Sequence, residues 1–510
     1  MMTRREACLL FGGATALVGT AGGWARATAL PRNVTDGFER AAPHTVDVDA
    51  DAVIAFLDDA RAKGLELDSF MLWRKGKVAA EGWWWPYRPP LVHMLHSATK
   101  SFVSAGVGIA ISEGLIALDD PVLKFFPGRV AKPSANLEAM TVESLLTQTS
   151  GHAIGISGSQ WRPIKTSWVD EFLKVPVVYT PGTHFAYSSA TSYMLSAIIT
   201  QRTGTTLHEY LRPRLFEPAQ MHGVTWDVGP ENINPGGNGL SVTTADFLKL
   251  GVLHLTQGRW KGRQVIPAEW TRSVGVPRHG NPYGYQWWAA PDGQGFFAAG
   301  KFGQFCFVSP KLDAVLTVTS GVADNEATRN IMHALGFGHL AKMCGQAEPK
   351  SGAELALRSR IEQLRVLPPL VPATSPMARQ VSGATYACAP NADQIASIGV
   401  VFDKDICRFT LSDPRGDHLV EAGLADWRES ETTVTGSYLH HEYQPESMRV
   451  VAGGRWTSPN QFEMNWQFIE SGFRDTVALT FEGDTVRYDR GVNINSGPLR
   501  RPTIMGKHQS

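Results

Sequence analysis

An α+β fold closed by a smaller all-β domain is predicted, on three observations. Extended aromatic-rich runs come early in the chain, helical periodicity dominates its middle, and strict apolar/polar alternation marks its tail. The 510 residues are 43% hydrophobic with 15 Trp and 23 Phe, enough apolar mass for a large core, which excludes global disorder. The length suits one large unit and one smaller one.

The elements follow in order. Residues 1–29 read as an export signal: Arg4-Arg5 precede a small-residue and apolar stretch ending near Gly23, and Ala25-Arg26-Ala27 and Ala27-Thr28-Ala29 are cleavage candidates. The paired arginines resemble a twin-arginine signal, which implies export to the periplasm or medium. The stretch is too short and too diluted by Ala and Gly to span a membrane, and no later run reaches that length. The main domain is expected over 30–366. It opens with two antiparallel strands, 69–73 and 78–85, around the turn Arg74-Lys75-Gly76-Lys77. From 97 to 113 Phe102, Val103, Val107 and Ala110 recur at helical spacing until Gly114 ends the pattern. Further helices are expected at 142–147, 191–202, 207–211 and 244–256, the last with Asp246 in its favourable first turn.

Residues 283–288, 296–299, 305–309 and 315–320 are short and β-rich. A helix over 352–365 leads into a linker, 367–376, where Pro368, Pro369 and Pro372 deny helix and central strand alike. In 377–510 Phe462, Met464, Trp466 and Phe468 alternate with polar residues, as do Val477, Leu479 and Phe481. This predicts a small antiparallel barrel or sandwich.

Charge and cysteine content narrow the function. Lys+Arg 48 and Asp+Glu 48 cancel to zero, so no basic excess draws the chain to nucleic acid or anionic lipid. Outside the signal, which holds Cys8, four cysteines remain: Cys306, Cys344, Cys388 and Cys407. They are too sparse for a disulfide scaffold. Cys388 with Cys407 is the pairing to test first, because both fall in one late segment. Nothing fixes the oligomeric state.

The sharpest chemical signal is Ser97-Ala98-Thr99-Lys100 at the mouth of the predicted helix. Positions three apart share a helix face, so Lys100 projects one turn from the Ser97 hydroxyl. A helix N-terminus favours a developing oxyanion, and burial would let the amine accept a proton. The spacing alone is weak, since roughly one or two such matches arise by chance in a chain of this length. Taken alone, it is better explained by an N-cap serine followed by an exposed lysine.

Other readings fail. No Gly-x-Ser-x-Gly elbow and no His-Glu-x-x-His occurs, and His440-His441 beside Glu442 lacks metal-ligand spacing and reads as exposed polar strand. Gly295 to Lys301 mimics a phosphate loop, but Phe302 follows where Ser or Thr is required. No cofactor or metal is expected. The Trp83-Trp84-Trp85 and Trp287-Trp288 runs read mainly as core, with an apolar pocket lining as the alternative.

With Ser-x-x-Lys in place, residues 69–320 resemble the serine β-lactamase and penicillin-binding superfamily, especially its class C and esterase-like branch. The segment after the helix, Gly114 to Pro127, and Leu145-Leu146-Thr147-Gln148-Thr149-Ser150-Gly151 carry the likeness, with Gln148 where histidine is usual. The resemblance implies a β-lactamase/transpeptidase-like fold, an antiparallel sheet flanked by a helical cluster. It makes Tyr187, after the Pro181-Gly182 turn, the general base candidate. A phenol with a reference pKa of about 10 needs cations such as Lys100 and Lys301 to serve so. Without the resemblance, Tyr187 is a half-buried turn aromatic. Ser189 stands where the family has Asn.

Lys301-Phe302-Gly303 resembles the family's Lys-Thr-Gly triplet, with Lys301 as cation and Gly303 allowing close approach of substrate. The oxyanion amides are then expected from Ser97 and from Gln304 or Phe305. The tail is similar to lipocalin-like domains appended to some relatives, on pattern alone.

The resemblance implies an exported serine hydrolase forming an acyl-enzyme on Ser97. Ser189 and Phe302 favour an ester or small amide over a β-lactam, and a D-alanyl-D-alanine substrate ranks third. An inactive binding or scaffold protein on the same fold is the alternative from another class.

Overall fold

The strand Leu67–Arg74 is buried along its whole length, because layers cover both of its faces. Met71 and Trp73 point into one apolar cluster and Phe70 and Leu72 into another, the two-residue period of a strand. In this computed structural model, which describes residues 36–509 apart from 157, 346–349, 435, 437, 442 and 444, that strand lies inside a six-stranded antiparallel sheet. The strand order is Lys77–Trp83, Leu67–Arg74, Ala314–Ser320, Gln304–Ser309, Phe296–Gly300, Trp288–Ala289. The expected export signal lies outside the described residues.

Helices Ala50–Ala62 and Glu326–Met343 cover one face, and Thr99–Ser112, Ser189–Thr203 and Thr244–Leu255 belong to the cluster on the other. The Thr99–Ser112 helix is buried nearly all round, as its lack of a polar stripe demands. It admits its neighbours closely: a Cβ on Gly108 would sit 2.3 Å from the Trp270 ring. Gly114, at φ +69°, ends this stretch in the left-handed region. The fold is the expected β-lactamase/transpeptidase-like one with a C-terminal β domain.

One expected strand is mostly absent. Of 283–288 only Trp288 joins the sheet, because Gln286 takes a φ of 61° and its side chain donates to the carbonyls of Leu145 (3.2 Å) and Leu146 (2.7 Å). An extended backbone could not make that turn.

Ten strands between Thr385 and His508 form the second sheet, and a Gly423–Gly453 bridge links two of its outer strands so that it closes like a barrel. Phe462, Met464, Trp466 and Phe468 all point into its core, as their alternation requires. All four described cysteines are free. Cys388 and Cys407 cannot pair without rearrangement. The Cys388 N–H donates to the Ala396 carbonyl while Cys407 lies opposite Phe402, so the two residues sit at opposite ends of the shared strand Ser397–Asp403, roughly 20 Å apart along it.

The proline-rich segment is no free spacer. Leu367 is buried with Tyr87, Leu91, Val451 and Ile469, and Trp427 donates its indole N–H to the Pro368 carbonyl. The barrel hairpin turn at 469–473 meets the main body closely. Met94 N–H donates to the Glu470 carbonyl (2.9 Å), Tyr87 donates to the Ser471 carbonyl (2.7 Å), and Arg474 forks onto Glu66 at 2.9 Å. Gly321 and Gly472 touch backbone to backbone; a Cβ on Gly472 would fall 2.6 Å from the Gly321 Cα.

Candidate active site

Ser97 lies in a single 3-10 turn, His96–Ala98, that feeds the Thr99–Ser112 helix. Lys100 therefore sits in the first helical turn, and its Nζ lies 3.1 Å from Ser97 Oγ. Three-residue spacing produces this contact directly. Nζ also donates to the Gly237 carbonyl (2.9 Å) and to Ser189 Oγ (3.3 Å). No carboxylate pairs with it among the described residues. With 1% exposure and no counter-charge, burial pulls the Lys100 pKa down to about 7. Ser97 keeps partial exposure. An amine that is about half neutral near pH 7 can take a proton from the alcohol it touches.

Tyr187 reaches the same point from the loop before the Ser189–Thr203 helix. Lys100 Nζ sits 4.9 Å from the centre of its ring. Burial pushes the phenol up to about 12, partly offset by its interaction with the Ser97 hydroxyl. The phenol thus stays protonated, and the cationic help expected from Lys301 is spent elsewhere. Lys301 Nζ pairs with Asp324 at 2.8 Å, and Asp324, held below the usual carboxylate range by Lys301 and Arg329 against the effect of burial, raises the phenol further. Tyr187 stacks on Trp288 at 5.6 Å and meets Tyr283 edge-on at 6.0 Å, so one residue of the tryptophan runs does line the site.

Gln148, standing where the family has histidine, makes specific contacts. Buried at φ 60°, it accepts the Ser188 N–H and the Thr191 hydroxyl, both at 2.8 Å, on its side-chain oxygen. Its backbone carbonyl accepts the Ala186 N–H at 2.9 Å. One residue, through its side-chain and backbone carbonyls, therefore holds both neighbours of Tyr187.

The Lys301-Phe302-Gly303 triplet forms the turn between strands Phe296–Gly300 and Gln304–Ser309. The hairpin end abuts the serine turn, since a Cβ on Gly300 would lie 2.1 Å from the Leu95 carbonyl oxygen. Within the triplet the roles differ from expectation. Phe302 turns its ring away into the barrel cluster, with 1% exposure, which explains why an aromatic stands there. Gly303, at φ +94°, is demanded by packing: a Cβ would fall 2.0 Å from Ser320 Oγ. The Gln304 side chain is committed to Ser320, donating to its carbonyl at 2.8 Å and accepting its N–H at 3.2 Å. Phe305 is core, stacked on Phe307 at 5.2 Å. Gln304 and Phe305 can therefore serve an oxyanion only through their backbone amides.

His440 and His441 are not exposed strand residues. His440 is fully buried, with Nε2 2.6 Å from Asp475 Oδ1, because the barrel core closes over it. His441 approaches the rings of His96 and Phe302. Glu442 lies outside the described residues, and no group of three metal-ligating side chains occurs among the described ones. No described helix is long and apolar enough to cross a membrane.

The Beta-lactamase family profile matches residues 51–336, more than half of the chain and all of the segments just described in the main body. The chain belongs to the Beta-lactamase family. An uncharacterized protein of Mycobacterium tuberculosis is 24% identical over 247 residues, 38% of this chain and 61% of its own length. Penicillin-binding protein 4 of Amycolatopsis lactamdurans is 24% identical over 192 residues, covering 32% and 50% respectively. The chain thus spans between half and about three fifths of the length of these curated relatives. Among solved structures, one from Bacillus anthracis, provisionally named a 6-aminohexanoate-dimer hydrolase, superposes with a TM-score of 0.51 at 21% identity, over 60% of this chain and 88% of that one. That likeness is one of fold.

Proposed function

We propose that this β-lactamase-family protein is an exported serine hydrolase that cleaves an ester or small amide through an acyl-enzyme on Ser97. The observation that carries the reading is the 3.1 Å contact between Ser97 Oγ and an unpaired, buried Lys100 amine. Lys100 Nζ takes the hydroxyl proton as Ser97 Oγ attacks the carbonyl carbon. The neutral Tyr187 phenol delivers a proton to the leaving oxygen or nitrogen and regains one from the Lys100 ammonium. Water then attacks the acyl ester with the same amine as base, which frees the acid and restores Ser97. Backbone amides of Ser97 and of Gln304 or Phe305 are assigned to the carbonyl oxygen.

The substrate class rests on Ser189, whose hydroxyl binds Lys100 and offers no amide to an acylamino group. The Tyr187 ring at the nucleophile, with Trp288 stacked on it, suits a flat or apolar acyl group. Residues 1–29 supply the export signal in this reading.

A fluorophosphonate probe is expected to label the wild type and not Ser97→Ala, and p-nitrophenyl acetate turnover is expected to vanish with the same change. Nitrocefin hydrolysis outpacing every ester would move the assignment to a β-lactamase. Absence of labelling and of turnover across esters, amides and nitrocefin would sink it in favour of a binding role.

A further inference from the structure

His96, the residue before Ser97, adopts a φ of +47°. For a residue with a Cβ, that left-handed conformation is disfavoured and persists only where surroundings enforce it. The enforcing contacts are aromatic. The buried His96 imidazole meets Phe302 edge-on at 5.1 Å, Phe473 edge-on at 6.2 Å and His441 at 6.1 Å. Phe302 itself closes the ring of contacts, 5.5 Å from Phe473 and 5.9 Å from His441. Phe473 and His441 both come from the C-terminal barrel, far along the chain from the serine they surround.

Both barrel residues are themselves anchored. Phe473 stacks face to face on His440 at 4.5 Å, and His440 is tied to Asp475, which Arg490 Nε also grips at 2.7 Å. His441 donates its backbone N–H to Asn495 at 3.0 Å and shares its Nδ1 with the Ser496 hydroxyl. Neighbouring backbone bonds, Met94 to Glu470 and Leu95 to Leu240, both at 2.9 Å, hold the segment leading into His96 from the barrel and from the main body.

We infer that Phe473 and His441 are positioning residues for the hydrolytic centre: by clamping the His96 ring they hold the left-handed backbone from which Ser97 presents its hydroxyl to Lys100. The barrel is then part of the active site's support rather than an appendage. The departure of Phe302 from the family's usual residue fits this role, because a threonine there could not fill the space between His96 and Phe473. Displacement of a reacting group by about 1 Å is enough to cost roughly 100-fold in rate.

The inference rests on Ser97 being the nucleophile, and the test separates the two ideas. The full-length wild type, Phe473→Leu and His441→Ala are compared for fluorophosphonate labelling rate, for kcat and KM on p-nitrophenyl acetate, and for thermal midpoint. Both variants are expected to stay folded, to label about 10- to 100-fold more slowly and to lose kcat by a similar factor, with KM within about threefold of wild type. If Phe473→Leu fails to fold, His441→Ala, in a half-buried loop, decides alone. Folded variants that label within twofold of wild type overturn the clamp, as does a loss confined to KM. A wild type that takes no label at Ser97 refutes the hydrolase reading instead.

Discussion

Two of the buried cations, one in the main body and one in the barrel, differ in one respect of their surroundings. Lys100 in the main body meets a serine, a second serine and a carbonyl, all neutral. Arg490 in the barrel meets the Asp475 carboxylate, which His440 also engages. Burial disfavours both charges, yet only Lys100 yields, falling to about 7. For Arg490 the effect of burial is outweighed by Asp475, and its pKa rises. A paired buried charge is a fixed structural element, whereas an unpaired one is a proton acceptor waiting for a substrate. The barrel network stabilises a loop and a hairpin; the lysine site leaves its polar group unneutralised beside the partly exposed Ser97.

The largest test of that contrast is Lys100→Arg. A guanidinium keeps its proton, so kcat/KM for p-nitrophenyl acetate is expected to fall at least about 1000-fold. The wild type should show the matching pH dependence. The neutral amine is the active form and its pKa is about 7, so kcat/KM rises with pH to a plateau above 7 and drops about tenfold per unit below it. A profile flat from about pH 5 to 9 would break the comparison, and a limb near 12 would return the base role to Tyr187.

In the barrel, Asp475→Asn should leave Arg490 buried without its counter-charge and lower stability by about 3 kcal/mol in denaturant titrations. A change under about 1 kcal/mol would show that the pair is not the fixed element described. The smallest effect is expected at Lys301. Its side chain is 28% exposed and already paired with Asp324, and such pairs are worth about 0–1 kcal/mol. Lys301→Ala should therefore cost kcat/KM less than about tenfold. A hundredfold loss would mean that Lys301 leaves Asp324 to contact substrate.

What was legible from residues alone were the features encoded over short distances. The Leu67–Arg74 hairpin strand, the central helix, the alternation of Phe462 to Phe468 and the Ser97–Lys100 contact all follow from periods of two or three to four residues, which hold in any tertiary setting. Tyr187 was legible only through family likeness. Gly237 and Asp324 escaped notice, as did the partners of Gln148, because the contacts join segments remote in sequence and no local pattern announces such a pairing. Gly303 was read as allowing close approach of substrate, yet it makes room for Ser320, and Phe302 beside it fills the barrel contact. Residues 283–288 looked like a strand, yet two hydrogen bonds from Gln286 to the 145–146 backbone bend them away.

The amino-acid order thus sets the elements, the class of fold and the adjacency of one alcohol and one amine, since these depend on backbone geometry within a few bonds. Which of several candidate groups is charged, which is occupied by a partner, and whether the barrel touches the serine segment depend on burial and on contacts between distant stretches. Those are properties of the assembled core: solvent exclusion moves the Lys100 proton equilibrium, and convergence of three remote rings holds His96 in a conformation its own neighbours in sequence would not choose.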